Sequence, residues 1–389
     1  MDVQVVITAV IVFSILLFLY INRKKIEVQK IFFPLLYFIM YKTQIGLKLM
    51  DRTGKRFPRA VKWAGYVGVF FGFFGMILIS FELIRNLFTI LVKKAAPGVG
   101  IVLPIQAKGV FYVPFVYWII SIFVLAVIHE FAHGIIARRW GVHLKSAGLA
   151  FLSVLIPILP AAFVEPDEKS LSEKGPRAQL SVFAAGSFAN IVTAAVCILM
   201  LAYVMVPAAA GMVEFTGVRI AEINETGPAK SAGISQNEFI KKIGDFSIEN
   251  ISTFVDVFEH YSPDDEIIVE TSKDSYTLTL GASPINKSRP YMGVSVQQEW
   301  KIKDSVRTKF GFLPDMLIWL LELFRWLYIL NLGIGLFNLL PLGPLDGGRM
   351  LQVVLLQRFK PATAFRIWKI ISTAFLVLLI IIIASSFLK

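Results

Sequence analysis

Long apolar runs separated by short polar segments dominate the chain. The segments 3–21, 63–92, 112–140, 178–206, 312–340 and 364–387 are each apolar over the length of a membrane-crossing helix. About 20 helical residues cross the roughly 30 Å of a hydrocarbon core. The pattern predicts a polytopic α-helical membrane protein of about six spans. A shorter apolar run, 31–40, carries Pro34 and basic flanks. It is too short to cross and reads as interfacial or re-entrant. The run 148–164 is also apolar but contains Pro157 and Pro160. Non-helical backbone at membrane depth has to be shielded by protein or line a wet cavity. This run therefore reads as a β-like or re-entrant loop beside a site. Between the fourth and fifth spans the period drops to two: 217–223, 266–270, 275–280 and 291–296 alternate and are separated by turn residues. Residues 252–260 suit one helix. Here 15 of the 27 acidic residues fall between Glu214 and Asp304, which marks a small soluble β-rich domain. The expected organisation is an N-terminal span with a basic loop (1–62), a first membrane part (63–206), an inserted soluble domain (212–300) and a second membrane part (311–389).

Composition agrees. Hydrophobic residues make up 56% and charged residues 17% of the chain, against about 25% charged in a soluble domain. The net charge of +12 does not indicate a nucleic-acid partner. Its basic residues cluster between the first two apolar segments, at Arg23, Lys24, Lys25, Lys30, Lys42, Lys48, Arg52, Lys55, Arg56, Arg59 and Lys62. That is the signature of a cytoplasmic loop, and it attracts anionic lipid headgroups. Arg138 and Arg139, then Lys169, Lys174 and Arg177, then Arg349, Arg358 and Lys360 give the same orientation. The N-terminus and the soluble domain fall outside, in a multi-pass protein of the cell membrane. The single cysteine, Cys197, lies in an apolar run and excludes an intramolecular disulfide or a multi-thiolate zinc site. The first apolar stretch lacks a basic leader and a small-residue cleavage site, so it reads as a span rather than a signal peptide.

The third span carries His129-Glu130-Phe131-Ala132-His133. Residues four apart share one helix face, so both imidazoles can address one metal ion. Glu130 can reach a water on that metal without ligating it, as a general base must. In a soluble helix the five-residue pattern is weak evidence. Here two of only four histidines and a glutamate sit within an apolar span, where ionisable groups are costly and functional by default. A catalytic zinc takes three protein ligands. The position six residues after His133 is Arg139, His143 lies past Gly141, and His260 is in the soluble domain. Asp346, in Pro341-Leu-Gly-Pro-Leu-Asp-Gly-Gly-Arg349, is the better candidate because it lies on the same side of the membrane as the histidines. It could also cap the helix that follows; the two roles are compatible, and ligation is the favoured reading.

Together these motifs resemble the site-2 protease family of intramembrane metalloproteases. The match comprises His129-Glu130-x-x-His133, Asn338-Leu-Leu-Pro341 followed by Leu345-Asp346-Gly347, and the small-residue stretch Ala185-Gly186-Ser187-Phe188-Ala189-Asn190. Family members often carry proline where Ser187 stands. The resemblance implies Zn2+ held by His129, His133 and Asp346, Glu130 activating water, and Asn338 near the metal, where its amide could hold the scissile carbonyl. Asn190 is a candidate substrate-positioning residue, while Gly186 and Ala189 read as close-packing positions. The implied substrates are membrane proteins with transmembrane helices, cut within or beside those helices in regulated intramembrane proteolysis. The insert resembles a PDZ domain through 217–220, 227–234 and 240–245, with Asn237-Glu238 in place of the usual Gly-Asp. Such a domain either binds an extended peptide or screens substrates by size. The rival reading is a catalytically silent scaffold that binds peptides through the PDZ-like domain.

Overall fold

A computed structural model describes residues 3–32, 36–43, 45–93, 98, 100–154, 156–284 and 286–388. The chain divides into two compact units, Met1–Leu201 with Leu321–Lys389, and Ala202–Leu320. Its principal helices are α1 (Val3–Ile21), α2 (Ile45–Arg56), α3 (Pro58–Lys93), α4 (Phe115–Arg139), α5 (Pro176–Met200), α6 (Leu313–Phe337), α7 (Asp346–Arg358) and α8 (Pro361–Leu388). Five helices among the described residues are long and apolar enough to cross a membrane: 58–92, 115–139, 176–212, 313–337 and 361–387. The third of these runs from α5 through the π-helical turn Leu201–Met205 into Val206–Met212. The sixth expected segment forms α1, which is 19 residues long.

In the first unit α5 is the central helix. Gly175 precedes it and Pro176 opens it, a start that costs no hydrogen bond because the first amides of a helix lack intrahelical partners. Its buried face is built from small residues, Ala184, Ala185, Gly186, Ser187, Asn190 and Ala194. Small side chains let helices approach closely where no hydrophobic effect separates protein from lipid. Helices α3, α4 and α7 all pack against it.

The run expected to be interfacial or re-entrant at 31–40 is instead part of a hairpin, β1 (Ile26–Phe32) and β2 (Leu36–Lys42); Pro34 lies outside the described residues. The 148–164 run belongs to a second and longer hairpin, β3 (Leu144–Val154) and β4 (Ile156–Pro166). Strand β2 pairs with β3, giving an antiparallel sheet in the order β1-β2-β3-β4. Pro157 and Pro160 fall in β4, an edge strand, where a missing ladder donor is tolerated. Strand β4 lies against α4. The basic segment reaches the same end of α4. Leu47 and Met50 pack with Ile136 and Ala137, and Asp51 pairs with Arg138 at 2.9 Å.

The second unit holds an antiparallel sheet of β5 (Val213–Ile223), β6 (Phe239–Ile243), β7 (Glu266–Thr271), β8 (Ser275–Thr279) and β9 (Val294–Ile302), in the order β8-β7-β6-β5-β9. Val218, Ile220, Ile240, Ile243, Val269 and Leu280 are buried together and form its core. The predicted helix is Ile251–Asp256, continued by a 3-10 turn, Val257–His260. Asn250 and Thr253 close a reciprocal capping box at its start.

Candidate metal centre

Helix α4 turns His129 and His133 to one side, with their ring centroids 4.7 Å apart. Asp346 comes from the first turn of α7, 213 residues beyond His133 in the chain. The helix cap is Leu345, and no side-chain cap bond is made, so the Asp346 carboxylate is free for other partners. Local sterics place it there. A side chain at Gly347 would collide with the Leu339 and Leu340 carbonyls, and one at Gly348 with the Leu342 carbonyl. The two glycines thus let the chain fold back tightly on the end of α6, where the Gly347 amide also donates to the Asn338 carbonyl at 2.9 Å.

Three donors converge. His129 Nε2 and His133 Nε2 are 3.1 Å apart, and each lies 3.4 Å from one Asp346 carboxylate oxygen. Ligands at the usual 2.0–2.1 Å from a tetrahedral zinc stand about 3.3 Å from one another. The donor set therefore fits zinc in number, chemistry and spacing, and among the described residues His129, His133 and Asp346 are the group able to hold a metal. His143 and His260 stand outside it. His260 stacks on Phe246 with centroids 4.8 Å apart.

The surrounding hydrogen bonds prepare each donor. His133 Nδ1 lies 2.6 Å from the Val182 carbonyl oxygen. A carbonyl only accepts, so Nδ1 carries the proton and Nε2 keeps a lone pair for a metal. Ser187 Oγ–H donates to Asp346 Oδ2 at 2.9 Å. Asn190 is fully buried, with its amide nitrogen 3.1 Å from His129 Nδ1 and its Oδ1 without a hydrogen-bond partner. The two ends of an amide are nearly isosteric. Turning the Asn190 amide over satisfies the orphan oxygen with Nδ1–H and frees Nε2 of His129. Gly186 completes this face of α5, because a Cβ there would strike the Nε2 atoms of both histidines. One helix thus supports all three donors, from Val182, Gly186, Ser187 and Asn190.

Glu130 lies beside the donors but outside the set, and its Oε2 accepts a 2.9 Å hydrogen bond from the Val164 amide of β4. A cavity of 750 Å³ opens from this point, lined among others by His129, Glu130, His133, Phe163, Val164, Asn338, Asp346 and Arg349. Asn338 lines the same cavity as the metal donors. Asn190, expected as a substrate-positioning residue, contacts His129 at 3.1 Å and is not itself among the residues lining that cavity. On the cavity wall Lys42 meets Glu27 at 2.7 Å, and that contact, ahead of all else, holds its ammonium above the usual lysine pKa. Sequence reasoning missed the roles of Val182, Ser187 and Val164. It gave Gly186 only a packing role, although its place four residues before Asn190 was a usable signal.

An uncharacterized protein of Methanocaldococcus jannaschii, MJ0971, is 27% identical over 316 residues, which cover 80% of this chain and 75% of that protein. The crystal structure of the PDZ domain of an SdrC-like protein from Listeria monocytogenes aligns at 15% identity with a TM-score of 0.19, over 21% of this chain and 86% of that one. The profile of peptidase family M50 matches residues 117–382, from α4 and its two histidines through Asp346 into α8. With the sequence matched over that length, the chain belongs to peptidase family M50, the site-2 protease family.

Proposed function

We propose that the protein is an intramembrane zinc endopeptidase that cuts other membrane proteins within or next to their transmembrane segments. The observation that carries this reading is the convergence of His129, His133 and Asp346 beside Glu130. Zinc in such a site lowers the pKa of the water it holds to about 7 and polarises a carbonyl. The protein's part is to hold and move protons. Glu130 takes the proton from the attacking water and passes it to the leaving amine, a general-base and general-acid role that contributes about 10²–10⁴-fold. The Val164 amide fixes one Glu130 oxygen in place meanwhile. The Asn338 amide, on the cavity wall, holds the developing oxyanion.

Peptide bonds within a substrate helix are fully hydrogen-bonded, so the scissile segment has to unwind. Strand β4 offers what an extended segment needs: it is a sheet edge, and its residues Phe163 to Pro166 line the cavity. A substrate strand laid along it gains backbone hydrogen bonds and is carried to Glu130. In the second unit, β9 is also a sheet edge beside the helix Ile251–Asp256, with Gln298 Oε1 accepting from the Ile251 amide at 2.9 Å. An edge strand next to a helix suits a PDZ-like role in receiving an extended peptide.

The reading includes α1 as a sixth span, a cytoplasmic basic segment contacting anionic lipid, and an extracytoplasmic second unit. The packing of that basic segment on the end of α4 that carries His133 supports an active site in the cytoplasmic half. The test uses purified full-length protein in liposomes with a reporter containing one transmembrane helix. Expected are products cut inside or beside the helix, loss of cleavage on chelation, and recovery with Zn2+. Cleavage indifferent to the chelator, or none with zinc restored, overturns the proposal.

A further inference from the structure

The second unit stands on a two-stranded foot. Strand β5 pairs with β6 only at Val218 and Arg219, whereas it pairs with β9 from Val213 to Ile223. Below Gly217 the ribbon therefore extends beyond the body of the sheet, with Trp300 opposite Phe215, Lys301 opposite Glu214 and Ile302 opposite Val213. Successive residues of a strand point to opposite faces. One face of the foot thus carries Val213, Phe215, Trp300 and Ile302, of which Ile302 is buried, and the other Glu214 and Lys301, whose side chains pair at 3.0 Å. The foot is amphipathic, and it shows its largest apolar side chains to the outside. Phe215 is 61% and Trp300 45% exposed. A two-stranded ribbon is marginal in water without a partner for its apolar face.

The chain itself points to the partner. Strand β5 begins at Val213, immediately after the long apolar helix that ends at Met212. Strand β9 is tied to that helix end from the other side: the Lys303 amide donates to the Met212 carbonyl at 2.9 Å, and Lys303 Nζ donates to the Gly211 carbonyl at 3.1 Å. At about 3.4 Å per residue, Phe215 lies within about 10 Å of the end of that helix. This is the depth of the membrane–water interface, where tryptophan and other aromatic rings concentrate and basic side chains reach the headgroups.

We propose that the foot is an interfacial amphipathic β-ribbon, with Phe215 and Trp300 against the lipid and Glu214 and Lys301 toward water. The ribbon couples the second unit to the bilayer surface through side chains, beyond its two covalent connections. The inference needs the span to leave the bilayer near Met212 and does not depend on peptidase activity.

The test places single spin labels in a Cys197→Ala background, at Trp300→Cys, Phe215→Cys, Lys301→Cys and, on the body of the sheet, Ile268→Cys. Each full-length protein is reconstituted in liposomes, and label accessibility to oxygen and to a water-soluble nickel chelate is read. The expected ratio of oxygen to nickel accessibility is several-fold higher at 215 and 300 than at 301 and 268. A second arm keeps the ribbon intact: the emission difference between wild type and Trp300→Phe, measured in lipids brominated near the headgroup, is expected to be strongly quenched. Equal accessibility at 300 and 301 overturns the proposal. Shielding from nickel without raised oxygen, which signals a protein covering the face, overturns it too. So does an unquenched Trp300 signal.

Discussion

At the scale of the residue, the site separates groups that hold a metal from groups that hold those groups. Ser187 belongs to the second kind. Its hydroxyl fixes Asp346 Oδ2 at 2.9 Å, and outer partners of this sort are worth about 10–100-fold in metal affinity. Ser187→Ala is expected to weaken zinc retention by that order against a competing chelator, while Ser187→Thr retains most of it. Equal affinity in Ser187→Ala and wild type would show that Asp346 is oriented without it. Gly186→Ala should be harsher, since the added methyl meets both imidazoles; metal content is expected to fall in a chain that still folds, as judged by helix content. The two metal motifs were legible in the sequence because their logic is local: four residues make one helical turn, and a glycine pair lets an aspartate turn inward. The Ser187–Asp346 and Asn190–His129 bonds were not, because they join residues 159 and 61 positions apart. Nothing in the pattern around Ser187 says which distant side chain it will face.

At the scale of the element, β4 links the sheet to the chemistry. Val164 stands opposite Ala147 in β3, yet its amide points away from that ladder to Glu130. Val164→Pro removes this single donor on an edge strand that already carries prolines. Hydrogen bonds to charged groups contribute about 1.5–3 kcal/mol, so cleavage is expected to drop by about one to two orders of magnitude with zinc content unchanged. Parallel loss of zinc and cleavage would assign β4 a structural role only. The 148–164 run showed its β character through its length and prolines. The strands at 31–40 did not, because a short apolar run between basic residues suits a membrane-surface segment equally well. Their strand state comes from pairing with β3, a contact set by tertiary structure. In the second unit, strict alternation and the separating turns made the strands readable from the start.

At the scale of the whole molecule, the chain gathers polar, metal-ligating side chains among apolar helices by using one helix, α5, as a common support. Its small residues let α4 and α7 approach, and its polar atoms settle the donors. This explains why three motifs spread over more than half the chain can form one site, and why their joint presence in the sequence was informative where each alone was weak. The number of spans was less readable, since apolar length alone does not separate a crossing helix from a peripheral one. The central claim is that this site hydrolyses peptide bonds with Glu130 as its base. The most direct measurement compares wild type and Glu130→Gln, both purified and reconstituted, for zinc content and for cleavage of one membrane-embedded reporter. The account predicts the same zinc content in both proteins and a cleavage rate lower by about 10²–10⁴ in the variant. A variant that cleaves at the wild-type rate, or a wild-type protein that never retains zinc, would contradict it.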